Sequence, residues 1–294
     1  MLVATNGLTK RYGALTALAD CSLEVGSGEV FGLLGPNGSG KTTLLRLLLG
    51  FLRPTAGQAT IDGLDCYSHS VAVHRRVAYL PGEVRLPRRL RGQTVLKYFC
   101  SLRPEGNLAR AVEIAQRLGL DLSRQVARCS TGMRQMLALC IAMSADVPLV
   151  ILDEPTSSLD PTVRAEVAGL VREARAAGRT VIFSSHVLSE VEEVCDRVTI
   201  LRQGHLIHQQ TMAELTRQHR IRARLTAPIG LPPGNIASHV GQFSSADGRL
   251  EIVAPGELAP LLGWIATLPI DEVQIEPLGL RTVYDRFHRE AVDG

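Results

Sequence analysis

The sequence Gly35-Pro36-Asn37-Gly38-Ser39-Gly40-Lys41-Thr42-Thr43 decides the fold of this chain. It fits the pattern G-x-x-x-x-G-K-[ST], in which a glycine-rich loop joins a strand to a helix and surrounds phosphate groups with backbone N–H groups. An apolar run, 30–34, precedes the loop, and a run with helical spacing, 43–49, follows it. We therefore predict a strand, a phosphate-binding loop and a helix whose positive N-terminal end attracts anions.

Two side chains of this loop have direct chemical roles. The ammonium of Lys41 can reach the β- and γ-phosphates of a nucleotide, and the hydroxyl of Thr42 is a ligand for Mg²⁺. The other candidate nucleotide-binding residues of the loop are Gly35, Pro36, Asn37, Gly38, Ser39, Gly40 and Thr43. The alternative is a glycine-rich turn without a ligand. It is disfavoured because a chance match is rare in a chain whose lysines are Lys10, Lys41 and Lys97.

A second run ends in two carboxylates. Residues 149–154 read LVILDE, which is typical of a strand buried on both faces of a parallel sheet. We expect Asp153, at the tip of the strand, to hold Mg²⁺ through water opposite Thr42. Glu154 follows directly, where a general base for the activation of water is needed. The alternative is a strand that ends in ordinary solvated acids, and the phosphate loop argues against it.

Composition limits the classes of protein. With 294 residues the chain has room for one large or two modest domains. A net charge of +3 is too small to indicate nucleic-acid binding across the surface, so no nucleic-acid partner is expected. The six cysteines form no CxxC pair and predict reduced thiols in a cytoplasmic protein. The most apolar stretch, 136–144, is half the length of a membrane span, so the chain is not expected to cross a membrane.

The periodicity changes along the chain. Short strands are predicted at 18–25, 58–61 and 76–80, and helical spacing then dominates up to residue 144. Strands and helices alternate afterwards, which predicts a parallel sheet covered by helices. The predicted elements of this part are strands at 147–152, 180–184 and 197–201 and helices at 161–176 and 188–195.

The amino-acid composition of the chain changes near residue 218. Residues 227–248 are rich in Pro, Gly and Ser, and the remaining tail predicts a small α+β module. Its predicted elements are strands at 221–225, 250–253 and 272–275 and helices at 257–268 and 281–290. We predict one domain over residues 1–218 and an accessory domain over residues 219–294.

Four motifs together resemble a known family. The phosphate loop, CSTGMRQ at 129–135, LVILDEPTSSLD at 149–160 and SSH at 184–186 occur in the order used by ATP-binding cassette (ABC) ATPases. The resemblance covers residues 2–217. It implies an α/β P-loop NTPase core with a parallel sheet, an antiparallel β subdomain and a helical subdomain at about 84–145. A small α+β C-terminal module completes the predicted fold.

The resemblance also implies roles for residues outside the phosphate loop. Ser130 and Gly132 match the signature loop that touches the γ-phosphate bound to the partner subunit. Asp160 matches the loop that joins the two subunits, His186 the γ-phosphate sensor, and Tyr12 the aromatic that stacks on adenine. Taken alone, Ser130 is more simply a helix cap, His186 a core histidine and Tyr12 a packed aromatic.

Two positions depart from the family pattern. The family has Gln after the strand at 76–80, whereas this chain has Gly82 followed by Glu83. Gly82 cannot orient water or Mg²⁺ through a side chain, and Glu83 is a candidate substitute that needs a metal ion to screen its charge. The signature usually has Gly where this chain has Thr131, whose Cβ is expected to crowd the nucleotide. Both departures are expected to slow hydrolysis.

The resemblance implies a cytoplasmic ATPase subunit, peripheral on the inner face of the membrane, that uses ATP and Mg²⁺. Its partners would be a separate transmembrane permease and a second ABC ATPase chain, identical or related. Residues 272–277 and 280–287 are similar to the C-terminal extension of bacterial drug, antibiotic and lipid exporter ATPases, which favours export. The alternatives are a degenerate regulatory subunit of an asymmetric pair and a soluble ABC ATPase of DNA repair or translation.

A basic run follows Gly82. Arg85, Arg88, Arg89 and Arg91 occur in VRLPRRLRG. In the family this region lies near the membrane partner, so these arginines could meet acidic permease residues or anionic lipid head groups. The alternative is a solvated basic loop in a chain that uses Arg almost everywhere in place of Lys.

Overall fold

The computed structural model describes residues 1–289, which form two compact units that divide after Gln209. In chain order the strands are β1 (Val3–Tyr12), β2 (Leu15–Val25), β3 (Val30–Leu34), β4 (Ala56–Ile61), β5 (Leu64–Asp65), β6 (Val77–Leu80), β7 (Leu149–Asp153), β8 (Thr180–Ser185), β9 (Arg197–Arg202), β10 (His205–Thr211), β11 (His219–Leu225), β12 (Gln242–Ala246), β13 (Arg249–Ala254) and β14 (Ile270–Pro277). The helices are α1 (Lys41–Leu48), α2 (Ser70–Arg76), α3 (Gly92–Ser101), α4 (Leu108–Arg117), α5 (Thr131–Ser144), α6 (Pro161–Ala176), α7 (Leu188–Val194), α8 (Met212–Arg217), α9 (Gly234–Ala237), α10 (Ala259–Ile265) and α11 (Leu280–Arg289).

A six-stranded sheet, ordered β10-β9-β3-β8-β7-β6, forms the centre of the first unit. Neighbouring strands from β9 to β6 run parallel. Every residue of β3, β7 and β8 is buried, because helices cover both faces of the sheet. This explains the continuous apolar runs in the sequence and confirms the predicted parallel sheet. The carboxyl ends of β3, β7 and β8 lie side by side, which brings the segments that follow them together.

An antiparallel sheet, ordered β2-β1-β4-β5, accompanies the parallel sheet. The strand β1 had no counterpart in the predicted elements. Its pairing with β2 shifts register between Thr5 and Leu8 and again before Lys10. These irregularities interrupt the alternation of apolar and polar residues, so that the periodicity of the sequence does not reveal the strand.

The helical block consists of α3, α4 and α5. The buried residues of α3 and α4 lie on one side of each helix and include Val95 and Ile114, whereas α5 is buried around most of its circumference from Gln135 to Ser144. The helix α4 begins at an N-cap, Asn107, whose side chain accepts a hydrogen bond from the backbone N–H of Arg110. Leu102 follows the last residue of α3 and is 60% exposed, so the apolar spacing of residues 95, 99 and 102 extends beyond the buried face of this helix.

The second unit contains the sheet β12-β13-β11-β14, in which neighbouring strands are antiparallel. Ile221, Leu250 and Ile252 pack with residues of α9 and α10 in a separate hydrophobic core. The strand β12, with the sequence QFSSA, was missed because small polar residues hide its alternation. The predicted helix at 257–268 is shorter, Ala259–Ile265. The predicted end of the last helix, Glu290, lies outside the described residues.

Within residues 1–289, no helix is both long enough and apolar enough to cross a bilayer.

Candidate active site

The phosphate loop occupies residues 35–40 between β3 and α1. Gly38 and Gly40 have φ angles of 79° and 109°, in a region that side chains disfavour. A Cβ on Gly40 would lie 2.8 Å from the carbonyl oxygen of Ala17, and a Cβ on Gly35 would overlap the carbonyl oxygen of Leu201. The loop therefore depends on glycine both for its conformation and for its close packing against neighbouring backbone.

Ser39 and Lys41 supply polar atoms at the centre of this loop. The hydroxyl of Ser39 is buried and has no hydrogen-bond partner among the described residues. Lys41 is 6% exposed, and its Nζ donates to the carbonyl oxygens of Gly35 at 2.6 Å and Pro36 at 3.3 Å. An unpartnered hydroxyl beside a buried ammonium is the environment that an anionic ligand would complete.

Asp153 and Thr42 meet at the end of β7, as the sequence predicts. Asp153 is 1% exposed and accepts hydrogen bonds from Thr42 Oγ1 at 3.0 Å and Ser184 Oγ at 2.9 Å. Burial raises the pKa of the Asp153 carboxyl, and the two hydroxyl donors oppose that rise. Sequence reasoning did not identify the role of Ser184, although it lies within the SSH motif.

The donor set at Asp153 fits Mg²⁺. Magnesium prefers oxygen ligands, binds few protein groups and keeps several waters, which matches one hydroxyl and one carboxylate. In the described part of the chain, no group of three His, Cys, Asp or Glu side chains has the arrangement of a metal site. A metal that needs a complete set of protein ligands is therefore not suited to this cluster.

Glu154 lies between Lys41 and His186. Its Oε2 is 2.7 Å from His186 Nδ1, and its Oε1 is 3.3 Å from Lys41 Nζ. The second contact is within ion-pair distance, yet Oε1 makes no hydrogen bond of acceptable geometry with a described residue. Glu154 has a φ of 50°, and its backbone N–H donates to the carbonyl oxygen of Ser184. A left-handed backbone at a non-glycine residue is frequently associated with a functional site.

Two cavities of about 650 Å³ each share this centre. Asn37, Thr42, Arg46 and Glu154 line both of them. The first cavity is also lined by residues 38–43, which run from the phosphate loop into α1, and by Tyr12. Their volume is within the range of small-molecule sites.

The second cavity extends past Asp153 and His186 to Gly82 and Glu83. A Cβ on Gly82 would lie 3.5 Å from the Asp153 carboxylate, an ordinary contact distance, so a side chain fits there. Glu83 is 78% exposed and pairs with Arg85 at 3.0 Å, without a direct contact to Asp153 or Thr42.

Tyr12 and Arg46 both line the cavity that contains the phosphate loop. Tyr12 is 48% exposed, and Lys10 Nζ lies 5.0 Å from the centre of its ring. One face of a half-exposed aromatic ring is accessible to a base, and the stacking role of Tyr12 stays a prediction. Arg46 was not identified as a site residue. Its position four residues after Thr42 on α1 places both on the same helix face, and this spacing is a signal that could have revealed it.

Ser130, Gly132 and Asp160 line neither of these two cavities. Ser130 is the N-cap of α5 and accepts from the N–H of Met133, and Asp160 is the N-cap of α6 and accepts from the N–H of Val163. A Cβ on Gly132 would lie 2.6 Å from the carbonyl oxygen of Ser158, so glycine allows the close approach of α5 to that segment. Thr131 is exposed, and its hydroxyl accepts from Arg134 Nη2.

Comparison with known proteins identifies the family. Residues 18–157 match the family described as ABC transporter. A daunorubicin resistance ATP-binding protein of Streptomyces coeruleorubidus, DrrA3, is 38% identical over 72% of this chain and 69% of its own length. A second one from that organism, DrrA2, is 32% identical over 95% of this chain and 91% of its own length. A ribose import ATP-binding protein of Burkholderia thailandensis, RbsA 1, is 36% identical over 70% of this chain and 43% of its own length.

Solved structures share the fold. The ATP-binding subunit of an ABC transporter is 28% identical with a TM-score of 0.67, over 73% of this chain and 92% of that chain. A dimeric ATP-binding cassette in a post-hydrolysis state, bound to ADP and phosphate, is 21% identical with a TM-score of 0.66, over 72% of this chain and 99% of that chain. These neighbours confirm the predicted fold class. The chain therefore belongs to the ABC transporter ATP-binding proteins, a family of ATPases.

Proposed function

We propose that this chain is the ATP-hydrolysing subunit of an exporter and that it energises a separate transmembrane permease. The observation that carries the proposal is the convergence of Lys41, Glu154 and His186 beside the Thr42–Asp153 pair. These groups offer a cation for phosphate, a carboxylate base and oxygen ligands for a metal in one place, and phosphoryl transfer depends on positioning and charge stabilisation.

Each residue has a role that follows from its contacts. The N–H groups of the phosphate loop and the ammonium of Lys41 bind the β- and γ-phosphates, and Tyr12 stacks on the adenine. Thr42 and Asp153 would hold Mg²⁺, which neutralises phosphate charge when it is bound. Glu154 accepts a proton from the attacking water, and His186 orients its carboxylate.

The contact between Lys41 and Glu154 links binding to catalysis. The ammonium lies 3.3 Å from the carboxylate, so phosphate oxygens compete with Glu154 for the same cation. When Lys41 binds phosphate, its attraction for Glu154 weakens and the carboxylate becomes a better proton acceptor. ATP would in this way prepare the base for its own hydrolysis.

A second ATPase chain is part of the proposal. Ser130, Gly132 and Asp160 lie outside the two cavities, where they are available to a nucleotide on a partner rather than to the one in this chain. Ser130 and Gly132 are at the start of α5, whose N-terminal N–H groups favour an anion. The dimeric form of a structural neighbour supports this arrangement.

The relatives support export over import. DrrA2, a daunorubicin resistance protein by name, aligns over 95% of this chain and therefore includes most of the second unit. The ribose import protein aligns over 70% of this chain and 43% of its own length. Similarity that extends through the C-terminal unit is thus associated with drug resistance in these relatives, and we propose export on this ground. The location would be the inner face of the membrane, on the permease.

We propose the same domain boundaries as above: a nucleotide-binding domain at residues 1–218, with its helical subdomain at about 84–145, and an accessory domain at residues 219–294. The two compact units divide nine residues earlier, after Gln209, with β10 and α8 near the junction.

One observation favours a second candidate function. Gly82 has no side chain to orient water, as would suit a regulatory subunit that binds ATP without hydrolysing it. Against this, the Glu154–His186 contact at 2.7 Å is intact. A non-hydrolysing subunit has no need of such an oriented base.

The test is ATP hydrolysis with and without the permease. The purified chain is assayed for phosphate release alone and in proteoliposomes that contain a candidate permease, with Lys41→Ala as the negative control. We expect hydrolysis that the permease stimulates. Absence of hydrolysis in both assays would support the regulatory subunit, and hydrolysis by a chain that never binds the permease would contradict the transport function.

A further inference from the structure

Two arginine-containing segments, distant in sequence, are joined by backbone hydrogen bonds. The N–H groups of Val126 and Ala127 donate to the carbonyl oxygens of Leu90 and Arg88 at 2.9 and 2.8 Å. The N–H of Gly92 donates to the carbonyl oxygen of Arg124 at 3.0 Å, and Arg91 forms a β-bridge with Gln125. The arginine patch is defined here by Arg85, Arg88, Arg89, Arg91, Arg124 and Arg128. The sequence run at 85–91 revealed only part of it.

The charges of this patch are largely uncompensated. All six side chains are exposed. Glu83 pairs with Arg85, and Asp121 lies 4.0 Å from Arg124. Within residues 1–289, the other four arginines make no ion pair and no side-chain hydrogen bond with a described residue. Like charges held close together repel one another, so this arrangement gains stability when an anionic partner approaches.

The backbone fixes the arrangement. Arg88 and Arg89 occupy the centre of a turn that is closed by a hydrogen bond from the N–H of Leu90 to the carbonyl oxygen of Pro87. Arg91 immediately precedes α3, and a Cβ on Gly92 would lie 3.2 Å from the backbone of Leu122, which shows how closely the two segments pack. A preformed array loses little backbone entropy on binding.

We propose that the arginine patch binds anionic phospholipid head groups. The planar guanidinium offers paired N–H donors that match phosphate oxygens. A specific protein interface is built around buried aromatic or aliphatic anchors. In the patch, the apolar residues Val84, Leu86, Leu90 and Leu122 are all partly buried, and none is available as an anchor. The patch therefore has several exposed guanidinium groups and no exposed apolar centre. This combination fits the flat anionic surface of a membrane better than the groove of a partner protein.

The test is sedimentation of the purified full chain with vesicles. Vesicles of phosphatidylcholine alone are compared with vesicles that also contain phosphatidylglycerol. The variant Arg88→Gln/Arg89→Gln/Arg91→Gln is compared with Arg75→Gln/Arg172→Gln/Arg249→Gln, which removes the same number of exposed charges elsewhere. Arg85 is left unchanged because it lines the catalytic cavity.

We expect the chain to bind only the anionic vesicles, and the patch variant to bind about tenfold or more weakly, since each basic residue near an anionic membrane contributes appreciably. The control variant should bind within about twofold of the wild-type chain. Salt at about 1 M should abolish binding, because it shortens the Debye length to about 3 Å. Both variants should hydrolyse ATP like the wild-type chain.

Three results would overturn the proposal: equal binding to both kinds of vesicle, unchanged binding by the patch variant, or binding of a polyglutamate peptide to the patch without binding of anionic vesicles. The last result would assign the patch to an acidic protein. Lipid binding and ATP hydrolysis are measured separately on the same preparations, so failure of this proposal leaves the proposed transport function intact, and the reverse also holds.

Discussion

The carboxylate of Glu154 and the ring of His186 are held 2.7 Å apart at the ends of two adjacent parallel strands. Glu154 follows β7 and His186 follows β8, and the register of these strands aligns Asp153 with Ser184. The pairing of the two strands therefore sets the distance between the proposed base, Glu154, and the proposed sensor, His186.

Glu154→Gln should lower ATP turnover by about 10²-fold or more, because a general base contributes on that scale. ATP should still bind, since the neutral amide removes the competition for Lys41. Gel filtration with ATP should then detect a stable dimer. The control is Glu193→Gln, which changes an exposed carboxylate paired with Arg172. Normal hydrolysis by Glu154→Gln would contradict the assigned base.

His186→Ala should lower turnover less than Glu154→Gln, since it removes an orienting contact and leaves the base. The double variant should be no slower than Glu154→Gln alone, because residues that act as a unit give non-additive losses. Steady-state phosphate release measures all three. Independent, multiplicative losses would indicate that His186 acts elsewhere than on Glu154.

Lys41→Ala should weaken ATP binding itself. The variant loses a buried ammonium that faces the phosphate site, and charge-assisted hydrogen bonds are roughly twice as strong as neutral ones. A fluorescent ATP analogue measures the affinity. Lys97→Ala, an exposed lysine on α3, is the matched control and should bind normally. Equal affinities of the two variants would argue against the phosphate-loop assignment.

Gly82→Gln should raise turnover of the purified chain. The space beside Asp153 accepts a Cβ at 3.5 Å, so the new side chain can enter the cavity and orient water. Thermal unfolding of the variant should be unchanged. Glu83→Gln is the comparison: if Glu83 already performs this role, turnover should fall in that variant, and Gly82→Gln should restore it. No effect of either substitution would show that neither position affects the rate.

Removal of residues 219–294 should leave a folded protein that binds ATP. The second unit has its own core around Ile221, Leu250 and Ile252, and the first unit retains its sheets. Circular dichroism and nucleotide binding of the shortened chain provide the measurement. Aggregation, or loss of ATP binding, would show that residues 219–294 contribute to the stability of the first unit.

The sequence was most informative where local chemistry determines structure. The glycines of the phosphate loop, the apolar strand before Asp153 and Glu154, and the helix cap Ser130 are local features, and the structure has each of these elements in the expected place. The meeting of Thr42 with Asp153 was also predictable, because parallel strands bring their carboxyl ends to one edge of a sheet.

Other features depend on contacts between distant segments. The strand β1 has shifted register, which removes the periodic signal. The hydroxyl of Ser184 meets Asp153 only because β8 lies beside β7, and the arginine patch exists only because residues 124–127 pair with residues 88–92. Neither juxtaposition can be obtained from spacing along a single segment. The proposed role of Ser130 and Gly132 toward a nucleotide on a partner depends in addition on a second chain.

The φ of 50° at Glu154 has a consequence for how this protein can be engineered. A left-handed backbone costs a side-chain-bearing residue about 1–2 kcal/mol that glycine does not incur. Glycine at this position would relieve that strain, but it would also remove the carboxylate that contacts Lys41 and His186 and that we propose as the base. The residue without the strain therefore cannot supply the carboxylate, and a directed-evolution library screened for stability should retain Glu at residue 154.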